Sequence, residues 1–388
     1  RCGEVANRGR YRRGLAVAVD ITTIIAETSR SSSGVTRRMP GGQLSLFGDE
    51  PDAGGRPPGR RVGVQPAAIP PAVGDLAASL PATIRLGTSS WSFPGWTGLV
   101  YAAAATGRPL SEAVLAREGL AAYAVHPLLR TVSLDRTFYA PLPADAFARY
   151  AAQVPDGFRF VVKAPAAFTD PVVRQPGSGM AARENPTFLD APAAMAAFVQ
   201  PALAGLGAKA GPLVFQFPPL GRRLLADTPR VVARIAAFMT MLARGPASDD
   251  AALAVEVRDP ELCTAKMAAA LRDAGAVPCL AIHARMPPAA EQAAAFGLDR
   301  DACPWPVVAR WNLHAGRAYE EARADYFPFD HLVEEDEPTR TAVAALAVRA
   351  TARGRGVFVT INNKAEGSAP LSVLRLAEAI AAPASAAG

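Results

Sequence analysis

Short runs rich in β-branched and aromatic residues alternate with alanine-rich stretches along most of this 388-residue chain. Eight such runs occur between positions 83 and 363, and after each of them apolar residues recur at helical spacing. Helices between strands provide the long crossovers that parallel strands require. Because closing eight parallel strands into a ring leaves no exposed sheet edge, the sequence predicts an α/β protein with a TIM-type (β/α)₈ barrel. An open doubly wound sheet is the alternative, but no GxGxxG motif follows the first run.

The predicted elements cover residues 84–382, which we take as the barrel domain. The longest uncharged run, Ala191 to Ala208, is interrupted by Gln200 and Pro201, so it is predicted to be a barrel helix and no membrane partner is expected. The predicted strands read TIRLGTSS, RTVSLDRT, FRFVVKAP, PLVFQFPP, LAVEVRDP, VPCLAIHA, PVVARWNLH and GVFVTINN. The predicted helices lie near 111–125, 144–154, 191–207, 228–244, 261–274, 288–297, 337–353 and 371–380.

Residues 1–83 differ from the barrel region in composition. They are rich in Arg, Pro, Gly and Ser and end in RPPGRRVGVQPAAIPPAVG. Such a segment has too little apolar surface to offset the entropy of folding, so we expect a disordered leader. The chain begins at Arg1 and a methionine, Met39, stands within the leader. We expect translation to start at Met39, with residues 1–38 as upstream sequence.

Charge and cysteine usage narrow the functional classes. The net charge is +6, but most of the excess lies in the leader, so the barrel gives little support to binding along nucleic-acid phosphates, and nucleic acid stays open as a partner. The four cysteines, Cys2, Cys263, Cys279 and Cys303, include no CxxC pair, so no metal site is predicted and the cofactor is left unassigned. Asp20 interrupts an apolar stretch that otherwise resembles a signal peptide, and a cytoplasmic location is expected.

Polar side chains recur on the inward face of the predicted strands. Successive side chains of a strand point to opposite faces, so each run divides into an apolar outward set and an inward set. The inward position near each carboxyl end is polar, and the active sites of such barrels lie at this end. The predicted catalytic residues are Glu256, Asp135 and His283, and the predicted substrate-binding residues are Ser89, Tyr139, Lys163, Gln216, Arg258, Arg310, Asn362, Asn363 and Lys364.

The charges of this set suggest a substrate class. Lys163, Arg258 and Arg310 are expected to clamp an anion, because cations outnumber carboxylates at the inward positions. Glu256 or Asp135 is expected to act as an acid or base. Only four of the 41 Lys and Arg residues are Lys, and two of those four stand at strand ends, which favours a role for an ammonium group. A small anionic or sugar-type ligand fits this balance.

Structural interpretations stay open for the same residues. Glu256 and Arg258, two positions apart on one strand, form either an acid–base pair or only an ion pair. His283 is either a proton-transfer group or a hydrogen-bonding spacer. Asn362 and Asn363 are expected to orient the ligand. The whole ring could instead be a polar plug, although burying so many charges without a task costs free energy.

Seven strand-end motifs carry a resemblance to a known family. They are IRLGTSSWSFPGW, DRTFYAP, PDGFRFVVKAP with Thr169 after it, LVFQFPP, AVEVRDP, ARWNLH and INNKAEGSAP, and they span residues 84 to about 375. In this order they resemble the YecE-like proteins, also called domain of unknown function 72. The resemblance implies a TIM-type barrel and no established activity. This chain has Ser133 followed by Asp135 where many members carry a Glu, and RWNLH where Arg-x-His-Gly is common.

The leader contains one apolar cluster, QLSLF, from Gln43 to Phe47. It resembles the pentapeptide by which bacterial replication and repair proteins bind the DNA sliding clamp. The amide of Gln43 would set the register through hydrogen bonds, Leu46 and Phe47 would fill an apolar pocket, and Leu44 completes the predicted partner-binding set. The alternative is that the segment folds back onto the barrel.

Together these features predict a barrel enzyme, a hydrolase or lyase, acting on an anionic or sugar-containing substrate, nucleic-acid-derived substrates included. Recruitment to the DNA sliding clamp through the leader is part of this prediction. The alternative is a non-catalytic module that binds a ligand or nucleic acid in the same barrel mouth.

Overall fold

Eight parallel strands form a closed barrel in the computed structural model, which describes residues 63–104, 107, 109–173, 183–243 and 250–382. Each strand pairs with its neighbours in chain order, and the last pairs with the first. All eight lie where the sequence predicts a strand, which confirms the α/β, TIM-type barrel. The strands are β1 Ile84–Thr88, β2 Leu129–Leu134, β3 Arg159–Lys163, β4 Ala210–Phe217, β5 Leu253–Val257, β6 Val277–Ile282, β7 Val307–Trp311 and β8 Val357–Ile361.

Helices follow the strands and surround the barrel. They are α1 Pro71–Ser79, α2 Glu112–Glu118, α3 Leu120–Ala124, α4 Ala144–Ala151, α5 Ala166–Thr169, α6 Ala191–Ala194, α7 Gln200–Leu206, α8 Arg222–Leu225, α9 Thr228–Leu242, α10 Ala265–Asp273, α11 Ala289–Phe296, α12 Tyr319–Tyr326, α13 Glu337–Thr351 and α14 Ala369–Ala381. A π-helical turn, Met195–Val199, joins α6 to α7, and a short antiparallel ribbon pairs Val172–Val173 with Arg183–Glu184. Short 3₁₀ turns occur at Pro94–Trp96, Arg136–Phe138, Gly207–Lys209, Pro260–Leu262 and Asn363–Ala365.

Alternation along the strands gives the apolar outward set that the sequence predicts, and the structure adds an apolar layer inside the barrel. The outward side chains pack against the helices in one large core. The next inward residue of a strand lies two positions further toward its carboxyl end. These residues form a second layer inside the barrel, and most of them are polar. The polar layer therefore lies directly beyond an apolar floor. The strand residues of that floor are Val161, Val214, Ala254, Val277, Cys279, Val308 and Phe358.

One described segment, Ala191–Lys209, is long and apolar enough to cross a membrane by length and composition alone. It packs along the barrel instead of standing apart. Phe198 is buried against Phe215 of β4 with ring centroids 5.6 Å apart, and Ala194 and Ala202 are also buried. This packing agrees with the predicted barrel helix.

The amino-terminal boundary of the barrel differs from the predicted one. Residues 63–83 have defined structure: Ala67 N donates to Val100 O over 2.9 Å, and α1 buries Ala77 and packs against α14. The sequence signal failed here because α1 is short, begins with prolines and contains a glycine, so it shows little apolar periodicity. The predicted disordered leader therefore cannot extend to residue 83, and residues 1–62 lie outside the described part of the chain.

Candidate functional site

Arg310 of β7 stands at the centre of the polar layer at the carboxyl end of the barrel, which we call the mouth. Its side chain is 2% exposed, Nη1 donates to Glu256 Oε2 over 2.7 Å, and Nη2 donates to both Asp135 oxygens over 2.9 Å. Nη1 also lies 3.4 Å from Oε1 of Gln216. Burial acts to lower the pKa of Arg310, but the two carboxylates more than offset this and raise it. A buried guanidinium is tolerated when carboxylates compensate its charge, and here they also accept from both of its terminal nitrogens.

Glu256 of β5 is enclosed between two arginines. Its side chain is fully buried, Arg258 Nε donates to Oε1 over 2.7 Å, and Arg310 holds the other oxygen. Burial by itself would raise the pKa of Glu256, but the two guanidinium groups lower it to about 2. A carboxylate held so firmly in its ionised form does not take up a proton near neutral pH. The geometry therefore favours the ion-pair interpretation of Glu256 and Arg258 over the acid–base one.

The three residues expected to clamp an anion, Lys163, Arg258 and Arg310, differ in their contacts with this network. Arg310 uses both of its terminal nitrogens on Asp135 and Glu256, so the geometry assigns it to positioning those carboxylates and not to ligand contact. Arg258 is 12% exposed and shares its donors between Glu256 and Gln216. Of the three predicted clamp residues, only Lys163 keeps its charged group free of this network.

The amine of Lys163, at the end of β3, has no acidic partner among the residues that the structure describes. The side chain is half-buried, and Nζ lies 3.6 Å from the centroid of the Phe138 ring. Nζ makes no hydrogen bond or ion pair within the described ranges. Burial lowers the pKa of Lys163 to about 7, and Asp135 offsets only part of that effect. Near neutral pH the amine is therefore present in both its neutral and its charged form, which suits proton transfer.

Lys364, just after β8, repeats this arrangement. Lys364 is buried, and its Nζ lies 4.3 Å from the centroid of the Tyr319 ring. In the described part of the chain, no carboxylate lies within ion-pair distance of this amine. Burial lowers the pKa of Lys364 to about 8, and Arg323 acts in the same direction. Two of the four lysines in the chain thus rest against aromatic rings at one end of the barrel.

Asp135 is the carboxylate of the network that solvent reaches. Its side chain is 29% exposed and accepts a hydrogen bond of 2.7 Å from Ser133 Oγ, in addition to the two from Arg310. Tyr139 lies four residues further along and is 66% exposed. Burial of its hydroxyl and the nearby Asp135 raise the pKa of Tyr139, which keeps the phenol protonated. Asp135 and Tyr139 can therefore both contact a ligand at the surface of the mouth.

His283, after β6, is a neutral imidazole. It is half-buried, and its Nδ1 lies 3.4 Å from the backbone N–H of Arg285. Burial and the Arg258 guanidinium lower the pKa of His283 to about 4. At neutral pH it can accept a hydrogen bond but carries no charge, which fits a hydrogen-bonding spacer better than an acid.

Several buried polar atoms at the carboxyl ends of the strands have no partner within the described ranges. They include the hydroxyls of Ser89 and Thr360, Nε of Arg310 and Nδ2 of Asn363. Ser89 follows β1, and Thr360 of β8 pairs in register with Arg310. Buried polar groups rarely stay without a hydrogen bond, so the two hydroxyls are suited to binding water or a ligand. This supports the predicted binding role of Ser89 and adds Thr360.

The two asparagines after β8 have mainly structural partners. Asn363 is 1% exposed, and its Oδ1 accepts from Trp96 Nε1 over 3.2 Å and from Ala369 N over 2.8 Å. It therefore fixes the start of α14 and does not orient a ligand through that oxygen. Asn362 is half-buried, and its Oδ1 accepts from Lys364 N over 3.1 Å, which leaves its amide nitrogen available at the mouth.

Sequence reasoning missed three residues of the site. Phe138 lies within the DRTFYAP motif but carries no chemistry of its own that would single it out. Tyr319 belongs to α12, whose polar sequence YEEARADY has no apolar stripe. Thr360 could have been found, since it occupies the inward position of β8 one layer below Asn362.

The described residues contain no group of three His, Cys, Asp or Glu side chains close enough to hold a metal ion. The predicted clamp-binding residues Gln43, Leu44, Leu46 and Phe47 lie outside the described part of the chain.

Comparison with known proteins finds relatives of the barrel. The family described as "Protein of unknown function DUF72" matches residues 85–387. Two crystal structures of a DUF72 family protein from Enterococcus faecalis V583 are 19% and 17% identical to this chain; both cover 77% of it and 96% and 98% of their own chains, with TM-scores of 0.49 and 0.46. A DUF72 family protein from Thermotoga maritima MSB8 is 18% identical over 76% of this chain and 97% of its own, with a TM-score of 0.45. No curated protein matches the chain.

Proposed function

We propose a function from the site itself, because this chain belongs to the DUF72 family and the description of that family names no activity. The protein is an enzyme that binds a small anionic substrate in the barrel mouth and uses Lys163 to transfer a proton. The observation that carries this proposal is the half-buried amine of Lys163, which faces the mouth without an acidic partner among the described residues. Perturbed, unpaired titratable groups in such a position are typical of active sites.

A lysine with a pKa of about 7 suits general acid–base catalysis. The neutral amine can remove a proton from a substrate carbon or from a water molecule, and the resulting ammonium can return it to the leaving group. Arg258 and Lys364 stand in the same mouth and would stabilise negative charge that develops on the substrate. These steps are those of a hydrolase or lyase acting on an anionic or sugar-containing substrate.

The direct test is the titration of Lys163. The chain has four lysines, Lys163, Lys209, Lys266 and Lys364, so reductive methylation with ¹³C-formaldehyde gives few NMR signals, and Lys163→Arg assigns the relevant one. We expect the Lys163 signal to titrate at about pH 7. A Lys163 midpoint above about pH 9 would refute the acid–base role.

A non-catalytic binding module is the second candidate, because the terminal nitrogens of Arg310 are already paired with carboxylates, as they would be in a structural plug. The two candidates differ in what happens to a bound molecule. The wild-type protein and Lys163→Met are incubated with a cell extract, washed, and their bound metabolites identified by mass spectrometry. An enzyme predicts a species that accumulates on Lys163→Met and is consumed by the wild type. A binding module predicts the same species, unconverted, on both.

We further propose that the leader recruits this enzyme to the bacterial DNA sliding clamp in the cytoplasm. The support is the QLSLF motif at Gln43 to Phe47, in a segment whose Gly- and Pro-rich flanks contrast with its apolar centre. This recruitment does not depend on the barrel chemistry, and binding of a leader peptide to purified clamp tests it separately.

A further inference from the structure

All three exposed large aromatic side chains among the described residues lie on the mouth face of the barrel. Tyr139, after β2, is 66% exposed; Tyr319, on α12 after β7, is 42% exposed; and Phe327, at the end of α12, is 72% exposed. Connections that follow the strands of such a barrel lie at its carboxyl end. Exposed aromatic side chains concentrated at one site indicate a surface that contacts another molecule.

One of these rings contacts an unpaired lysine, and a second lies one ring away from the other lysine. Lys364 Nζ lies 4.3 Å from the Tyr319 ring, and Lys163 Nζ lies 3.6 Å from the Phe138 ring, which is in edge contact with Tyr139 at 5.4 Å. Asp135 is near enough to both amines and both tyrosines to act on them electrostatically. Each amine is therefore next to an exposed aromatic side chain or to a ring that contacts one.

The charged side chains of the mouth do not cancel one another. Among the charged residues that the sequence assigns to the site, four cations face two carboxylates, so two positive charges are in excess when both lysines are protonated. A dianionic group such as phosphate neutralises both excess positive charges, whereas a single carboxylate neutralises only one of them. The six side chains are Lys163, Lys364, Arg258, Arg310, Asp135 and Glu256.

We propose that the substrate of this site combines a phosphate with a planar ring, as a nucleoside monophosphate does. The ring stacks on Tyr139 and Tyr319, and the phosphate binds at Lys163 and Lys364. Aromatic side chains accept any flat ring, so they supply affinity without requiring hydrogen bonds at the exposed rim. The inference rests on the proposed function, because it names the substrate class of the same site.

Isothermal titration calorimetry of the full chain with three probes separates the two contacts. Adenosine 5′-monophosphate has both a ring and a phosphate, ribose 5-phosphate lacks the planar ring, and adenosine lacks the phosphate. We expect adenosine 5′-monophosphate to bind about tenfold or more tightly than either fragment, because stacking of one base contributes roughly such a factor.

Two variants assign the contacts to residues. Tyr139→Leu should weaken adenosine 5′-monophosphate binding about tenfold and leave ribose 5-phosphate binding unchanged. Tyr139 is chosen because Tyr319 also contacts a lysine. Lys364→Met should weaken binding of both phosphates. Met241→Leu, exposed on α9 away from the mouth, is the matched control and should change neither. Circular dichroism checks that each variant is folded.

The outcomes separate this inference from the proposed function. Equal affinity for the two phosphates, or an unchanged affinity for adenosine 5′-monophosphate in Tyr139→Leu, would overturn the ring contact and leave the anion site standing. If neither phosphate binds to the wild type, the anionic mouth itself fails, and the inference fails with it.

Discussion

At the scale of single residues, the mouth uses arginine and lysine for different purposes. The guanidinium group of Arg258 donates to one oxygen of Glu256, and that of Arg310 divides its two terminal nitrogens between Asp135 and Glu256. The amines of Lys163 and Lys364 are instead placed against aromatic rings, where burial moves their pKa toward neutrality. The pKa of lysine shifts readily on burial, whereas arginine stays charged, so only the lysines of the mouth can change protonation state near neutral pH.

Replacing Glu256 with Gln should destabilise the barrel. The substitution removes the negative charge that compensates Arg258 and Arg310 in a fully buried site, and loss of one partner of a buried ion pair typically costs about 3–5 kcal/mol. Urea denaturation followed by circular dichroism measures the change. Asp145→Asn is the control, because Asp145 and Arg149 form an exposed ion pair on α4 whose loss should be undetectable. Equal effects of both substitutions would contradict this account of the network.

Glu256 should also make the stability depend on pH in acid. Its pKa is about 2 in the folded state and about 4.3 in the unfolded chain, so it is depressed by folding. A depressed carboxyl pKa contributes stability that is present above about pH 4 and lost as the pH falls toward about 2. The free energy of unfolding should therefore fall over that range, by about 3 kcal/mol from this residue. In Glu256→Gln that part of the slope should be absent; a slope identical to wild type would assign it to other carboxyl groups.

At the scale of elements, alternation with period two predicted all eight strands and their inward residues. It works because one face of each strand packs on helices while the other faces the barrel interior. The same pattern could not predict partners, since Arg310 meets Asp135 across 175 positions of sequence, through the closure of the barrel. Whether Glu256 acts as an acid–base group or as an ion pair depends on that closure, and the sequence left both open.

The helices that the sequence missed are those whose stability comes from contacts with the rest of the protein. In α12 the sequence is polar, but Ala322 and Tyr326 are buried and Tyr326 Oη donates to Glu334 over 2.9 Å. In α1 the carboxyl end is held by Arg130, whose guanidinium donates to the carbonyls of Ala77, Leu80 and Pro81. The spacing of apolar residues within one segment does not reveal contacts that the segment makes with distant parts of the chain.

Removing α1 should destabilise the barrel. A chain that starts at Ala82 loses the buried side chains of Ala77 and Leu80 and leaves the donors of Arg130 without their carbonyl partners. Burial of one leucine contributes about 1.5–3 kcal/mol, so we expect the melting temperature to fall by roughly 5 °C or more. Differential scanning calorimetry measures it against a chain that starts at Gly63 and retains α1. Identical melting temperatures of the two chains would mean that α1 contributes nothing measurable to the stability of the barrel.

At the scale of the whole molecule, the two ends of the barrel are built differently. At the amino end, Asp250 accepts from Arg85 over 3.1 Å and from Arg159 over 2.7 Å, so these two arginines share an acidic partner. At the mouth, both lysines lack acidic partners within the described ranges and the exposed aromatic side chains gather around them. The sequence predicted that polar residues gather near the carboxyl ends of the strands, and the structure brings Arg310, Asp135 and Glu256 together there. The sequence could not identify the exposed aromatic residues Tyr319 and Phe327, because the segment after β7 that contains them has no periodic apolar pattern.

The leader gives the last prediction, which concerns where the whole molecule acts. A peptide from Met39 to Asp52 should bind the bacterial sliding clamp, and replacing both Leu46 and Phe47 with Ala should abolish binding. Two apolar side chains of this size contribute about 1.5–3 kcal/mol each when fully desolvated, which is most of what a short peptide retains after its ordering cost. Gln43→Ala should weaken binding less, because one hydrogen bond nets about 0.5–1.5 kcal/mol. Fluorescence anisotropy with purified clamp measures all three peptides. Equal binding of the wild-type and doubly substituted peptides would remove the link to DNA replication and repair and leave the barrel chemistry untouched.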